Sequence, residues 1–122
     1  MENLKEDNYS VLLSLYHKEK PAYLRQALDS VFGQTVMPDD VVLVEDGKLG
    51  PELEKIVCEY ESRYPQLNVV RFEKNRGLGY ALNDGIKFCR NEIVARMDTD
   101  DIAMPERMQT ELKVMAEYPE YG

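Results

Sequence analysis

Four short apolar runs alternate with longer amphipathic stretches along this 122-residue chain, and few architectures accommodate that order. The runs are Ser10 to Leu15, Val41 to Val44, Asn68 to Phe72 and Ile93 to Met97. The first is too continuous for a strand with one wet face, and the second and fourth read as buried in the same way. Pro21 fits the first turn of a helix with the stripe Leu24, Leu28, Val31 and Phe32, ended by Gly33. Gly50-Pro51 opens a second helix with Leu53, Ile56, Val57, Tyr60 and Tyr64 on one face, and Pro65 stops it. A third helix follows Gly77 and Gly79, with Ala81, Leu82, Ile86 and Cys89 inward. Beyond the fourth run, 104–118 reads as helical, with Met108, Leu112, Met115 and Ala116 on one side. Short connections join these pieces, without repeats or linkers. The expected fold is α/β: right-handed βαβ units forming a mostly parallel sheet flanked by helices, in one domain.

Charge narrows the partners. The net charge of −8 argues against wrapping a nucleic-acid backbone, so no nucleic acid is expected as a partner. A phosphate-bearing ligand would need a metal, helix N-termini or a few placed basic groups. No stretch approaches the length and apolarity of a membrane-spanning helix, and Met1 to Asn8 is acidic and polar, unlike a signal peptide. A cytoplasmic location is the expectation, with membrane association of a parent enzyme left open. Cys58 and Cys89 occupy apolar positions of predicted helices without CxxC spacing, and are expected to be two buried free thiols.

In open α/β sheets ligands bind beyond the carboxyl ends of the strands. Ser14 to His17 follow the first strand, Asp46 the second, Asn75 to Gly79 the third and Asp98 to Asp101 the fourth. Nearly every chemically suggestive polar residue is thus expected on one rim, as a single site. Three carboxylates within four residues repel one another, and a cation would relieve them. Their hard oxygens suit Mg²⁺ or Mn²⁺, though a solvated acidic loop before a helix is the plainer alternative. Asp46 can accept a hydrogen bond from a base or a ribose hydroxyl. Tyr16 can line a base or pack as core. Gly77 and Gly79 allow close backbone approach or a tight turn, and Arg76 can meet a phosphate or be solvated. Asn83 fits a structural bond best, and His17 an ordinary surface imidazole. With one histidine, no Ser-His-Asp arrangement is built, and there is no zinc spacing or Walker loop.

Five segments then carry a resemblance. Tyr9 to His17, Leu28 to Thr35, Val44 to Gly47, Lys74 to Asn83, and Met97 to Asp101 with Pro105 to Arg107 resemble the opening half of family 2 glycosyltransferases. The resemblance implies a GT-A fold and a nucleotide-diphosphate sugar donor, UDP-sugar foremost. It also implies transfer with inversion, in polysaccharide or glycoconjugate synthesis. It places Ser14 and Tyr16 along the base, Asp46 bonded to it, and Asn75 and Gly77 at the nucleotide. Asp98, Asp100 and Asp101 would bridge ribose and a divalent metal. His17 stands where the family usually has Asn, and Glu45 where it usually has Asp; the second exchange keeps the charge.

Family members carry the acceptor pocket and the general base in the half that follows. Residues 1–122 are therefore expected to be the donor-binding half of a truncated domain, with no catalytic base and with the acceptor bound only by the full-length enzyme. Apolar surface left uncovered would favour self-association. A phospho-accepting receiver domain and a sugar nucleotidyltransferase are the competing readings. The first lacks room for later strands, and the second lacks a glycine-rich loop after the first strand.

Overall fold

The computed structural model describes residues 8–98, and the expected helix at 104–118 lies outside them. Strand β1 is Ser10–Leu15, β2 Asp40–Glu45, β3 Leu67–Arg71 and β4 Val94–Asp98. Helix α1 is Pro21–Phe32, α2 Pro51–Arg63 and α3 Leu78–Gly85, the last continued by a 3-10 turn, Ile86–Phe88. All three sheet pairings are parallel, in the order β3-β2-β1-β4. The expected architecture is present, with strand ends shifted by a residue.

Alternation along the strands sorts the core into two layers. Val11, Leu13, Leu15, Val41 and Leu43 face α1 and α2 and meet Leu24, Leu28, Ile56 and Val57. Leu12, Val42 and Val44 face the other way and meet Ala81 of α3. α3 sits close to the sheet because residue 85 is glycine. A Cβ there would lie 2.6 Å from Val44 Cγ2 and 2.9 Å from Leu12 Cδ1.

Four expectations need correcting. In β4 only Met97 is buried; Val94 and Ala95 are half-buried and Arg96 and Asp98 exposed, because no described strand covers its outer edge. Cys58 is exposed: on the α2 wheel it falls opposite Leu53, Ile56, Val57 and Tyr60. Ile86 is exposed, since Gly85 takes the sheet-facing position just before it. Polar residues are not confined to one rim either. At the amino ends of the strands, fully buried Asp40 accepts hydrogen bonds from Ser10 Oγ (2.7 Å), Asn68 Nδ2 (2.8 Å) and the Arg90 backbone N–H (2.8 Å). Ser10 Oγ in turn accepts from the Asn91 backbone and side chain, and Asn91 Nδ2 also reaches Asp39. This closed network fixes the entry to β4 beside β1 and β2. Among the described residues no helix is long and apolar enough to cross a membrane.

Removing a buried acceptor that serves three donors leaves those donors dry. Asp40→Ala is expected to cost about 3 kcal/mol of stability, and Asp40→Asn less because one acceptor oxygen remains. Urea unfolding of the three proteins measures both differences.

Candidate functional site

Strand parity decides which side chains meet. Ser14 pairs with Asp98 across the β1–β4 ladder, so both side chains emerge on the α3 face. Leu15 pairs with Glu45, which puts Glu45 on the α1–α2 face. The next residue, Asp46, alternates back toward Ser14 and Asp98. Of two adjacent carboxylates, one is therefore turned to the site and the other away from it.

Asp46 is almost fully buried, and its carboxylate grips the loop ahead of α3. Oδ1 accepts the Arg76 backbone N–H at 2.8 Å, and Oδ2 accepts that of Gly77 at 3.1 Å. Asn75 Oδ1 adds a second acceptor for the Gly77 N–H at 3.1 Å. Two glycines make this approach possible. Gly47 has φ +95°, and a Cβ there would lie 2.8 Å from the Asn75 nitrogen. Gly77 has φ +97°, a conformation that side-chain-bearing residues rarely adopt.

The result is a cavity of about 420 Å³, a size suited to a small organic ligand. Ser14, Tyr16, Asp46, Asn75, Gly77 and Asp98 all line it, so the six residues expected at a nucleotide lie together. Asp100 and Asp101 lie outside the described residues. Glu19 and Leu78 also line the cavity and were missed from sequence. Glu19 sits there because its N–H donates to the Tyr16 carbonyl (3.1 Å), folding the loop back on itself. Leu78 opens α3 at the cavity wall. The Arg76 side chain turns outward, its guanidinium 4.9 Å over the Tyr80 ring and bonded to the Tyr80 hydroxyl at 3.1 Å. The described lining thus holds three carboxylates and no basic side chain.

The family model for glycosyl transferase family 2 matches residues 10–122. The chain belongs to this family. A relative in Erwinia amylovora, an amylovoran biosynthesis glycosyltransferase, is 46% identical over 92% of the chain and 42% of its own length. A second, from Escherichia coli, is named UDP-Gal:alpha-D-GlcNAc-diphosphoundecaprenol beta-1,3-galactosyltransferase; it is 39% identical over 88% of the chain and 38% of its own length. Among solved structures, S. aureus TarS in complex with UDP-GlcNAc superposes with TM-score 0.79 at 27% identity, over 92% of this chain and 32% of that one. The chain thus spans about two-fifths of the length of the curated relatives it matches.

Set in this family, the exchange at Glu45 does more than keep a charge. Glu45 is 3% exposed on the α2 side, where Arg71 lies 3.4 Å away and also meets Glu54 (3.2 Å) and Glu61 (3.0 Å). One guanidinium serves three carboxylates. Burial and the nearby Glu54 push the Glu45 carboxyl up to about 8, which favours its protonated form near neutral pH. Cys89 is likewise held as a thiol, raised to about 11 by burial, and Cys58 is raised by burial and by Glu54. Neither thiol is disposed to act as a nucleophile or a soft metal ligand.

Because the folded state raises Glu45 above its unfolded value, folding takes up a proton between those two limits, and stability falls as pH rises through that window. We expect stability to decline from about pH 5 to pH 8, and Glu45→Gln to flatten the slope and exceed the parent by ~2 kcal/mol at the alkaline end. Chemical denaturation across pH checks this. Asp46→Ala should free the loop it grips, losing hydrogen-exchange protection of the Arg76 and Gly77 amides roughly tenfold or more, while the β1 and β2 amides stay protected.

Proposed function

We propose that residues 1–122 form the nucleotide-sugar-binding half of an inverting glycosyltransferase that takes a UDP-sugar and builds a polysaccharide or glycoconjugate. The observation that carries this is the single cavity shared by Ser14, Tyr16, Asp46, Asn75, Gly77 and Asp98. Support for the donor class comes from relatives: the TarS complex contains UDP-GlcNAc, and the E. coli relative is named for UDP-Gal. The amylovoran name supports a polysaccharide product.

Tyr16 offers a half-exposed ring for the base, and Ser14 a hydroxyl beside it. Asp46 has both oxygens on backbone donors, yet a carboxylate carries further lone pairs for a base N–H. Asn75 and Gly77 shape the wall where the ribose and phosphates run. Asp98, with Asp100 and Asp101, would hold Mg²⁺ or Mn²⁺. The donor chemistry fits, because these are hard oxygens in a cavity whose acidic lining repels a diphosphate unless a cation intervenes. Such an ion supplies charge neutralisation as the diphosphate departs. The acceptor and the general base belong to chain beyond residue 122 in this proposal. Exposed Leu78, Tyr80, Ile86 and Phe88 support self-association of this piece. The family match over residues 10–122 leaves the receiver and nucleotidyltransferase readings without support.

Calorimetric titration of UDP and GDP, each with and without Mn²⁺, tests the proposal. Binding should require the metal, favour UDP, and weaken more than tenfold, about 1.4 kcal/mol, in Asp100→Ala. The chain alone should transfer no sugar; measurable transfer would overturn the division into halves.

A further inference from the structure

We infer that His17 is a positioning residue for the nucleotide base, acting through Tyr16. The inference rests on the nucleotide proposal and names the group that sets how the base is received. Tyr16 follows Leu15, the last, fully buried residue of β1, and is itself 45% exposed at the cavity. A ring so placed has lost the walls of the core and needs some other neighbour to fix its tilt. The aromatic contact of its ring is with the imidazole of His17, edge-on at 5.9 Å between centroids and 76° between planes. That is the geometry in which the positive edge of one ring meets the negative face of another.

The loop carrying both rings is tied at each end. Glu19 N–H bonds the Tyr16 carbonyl at 3.1 Å, and the Lys20 carbonyl receives the N–H groups of Tyr23 (3.0 Å) and Leu24 (3.1 Å) at the start of α1. The backbone is therefore set by its own hydrogen bonds and by α1, without help from the imidazole. The His17 side chain is exposed and spans from the loop to the tyrosine ring. Its removal should leave the fold intact and release the ring. An Asn at this position offers an amide in place of a ring edge, so this chain receives the base against a braced tyrosine.

A ring brace makes a specific demand: another aromatic ring should replace the histidine, and an amide or methyl should not. Binding of UDP, GDP and inorganic pyrophosphate, each with Mn²⁺, is measured by calorimetry for the parent, His17→Phe, His17→Asn and His17→Ala. The expected result is nucleotide affinity within about twofold of the parent for Phe and about fivefold weaker for Asn and Ala, with pyrophosphate unchanged in all four. Aromatic proton shifts of Tyr16 in the unliganded proteins should move in Asn and Ala and stay near the parent in Phe. Unaltered nucleotide affinity in His17→Ala, a Phe variant as weak as Ala, or an equal loss for pyrophosphate would each overturn the role. A parent chain that binds pyrophosphate but neither nucleotide would overturn the nucleotide proposal, and this inference with it.

Discussion

The grip of the Asp46 carboxylate on two backbone amides holds the site together. β2 delivers Asp46 to the carboxyl rim, but the loop before α3 has no strand or helix of its own to place it. Two hydrogen bonds from consecutive N–H groups to one buried carboxylate supply that placement. They work only because Gly47 removes a Cβ that would strike Asn75 and because Gly77 accepts a positive φ. From this junction follow the position of Asn75, the outward turn of the Arg76 side chain and the start of α3 at Leu78. A carboxylate that lines the cavity is thus also the one that builds its wall.

The two rims of the sheet use the same chemical groups to different ends. At the amino rim, Asp40, Ser10, Asn68 and Asn91 satisfy one another, and Asp40 is sealed from solvent. At the carboxyl rim, Ser14 and Asp98 line a cavity. Ser14 is half-buried and Asp98 exposed, so water reaches both, whereas sealed Asp40 depends on its protein donors. This difference in solvent access, more than the mere presence of polar residues, separates the cavity rim from the sealed one.

Much of this was legible in the residues. The period of the apolar runs gave the strand–helix alternation, and position beyond the strand ends gathered the six lining residues. What escaped did so for identifiable reasons. Asp40 was hidden because a charged residue at a strand's first position looks like a solvated end, and its partners Asn68 and Arg90 lie 28 and 50 residues away. Cys58 was misplaced by treating its neighbours as one apolar patch, although the 100° step of the helix puts it opposite them. By charge alone, Glu45 looks equivalent to an Asp. Its burial against α2 depends on strand parity, and its proton depends on Glu54, which another element brings near. Glu19 reached the cavity through a turn that local sequence does not announce.

The sign of the charge in the cavity carries the last step. Glu19, Asp46 and Asp98 line it, Arg76 is held outward on Tyr80, and the whole chain is acidic at −8. Among the described lining residues, a diphosphate would meet three carboxylates. A cation entering with it would relieve that repulsion. If the cation enters, it lies between two sets of negative oxygens and strengthens the hold of each on the other. Metal and nucleotide then raise one another's affinity by the same factor, as linkage requires. On the proposed reading, the acids that would repel a diphosphate are the ones that would bring its counter-ion.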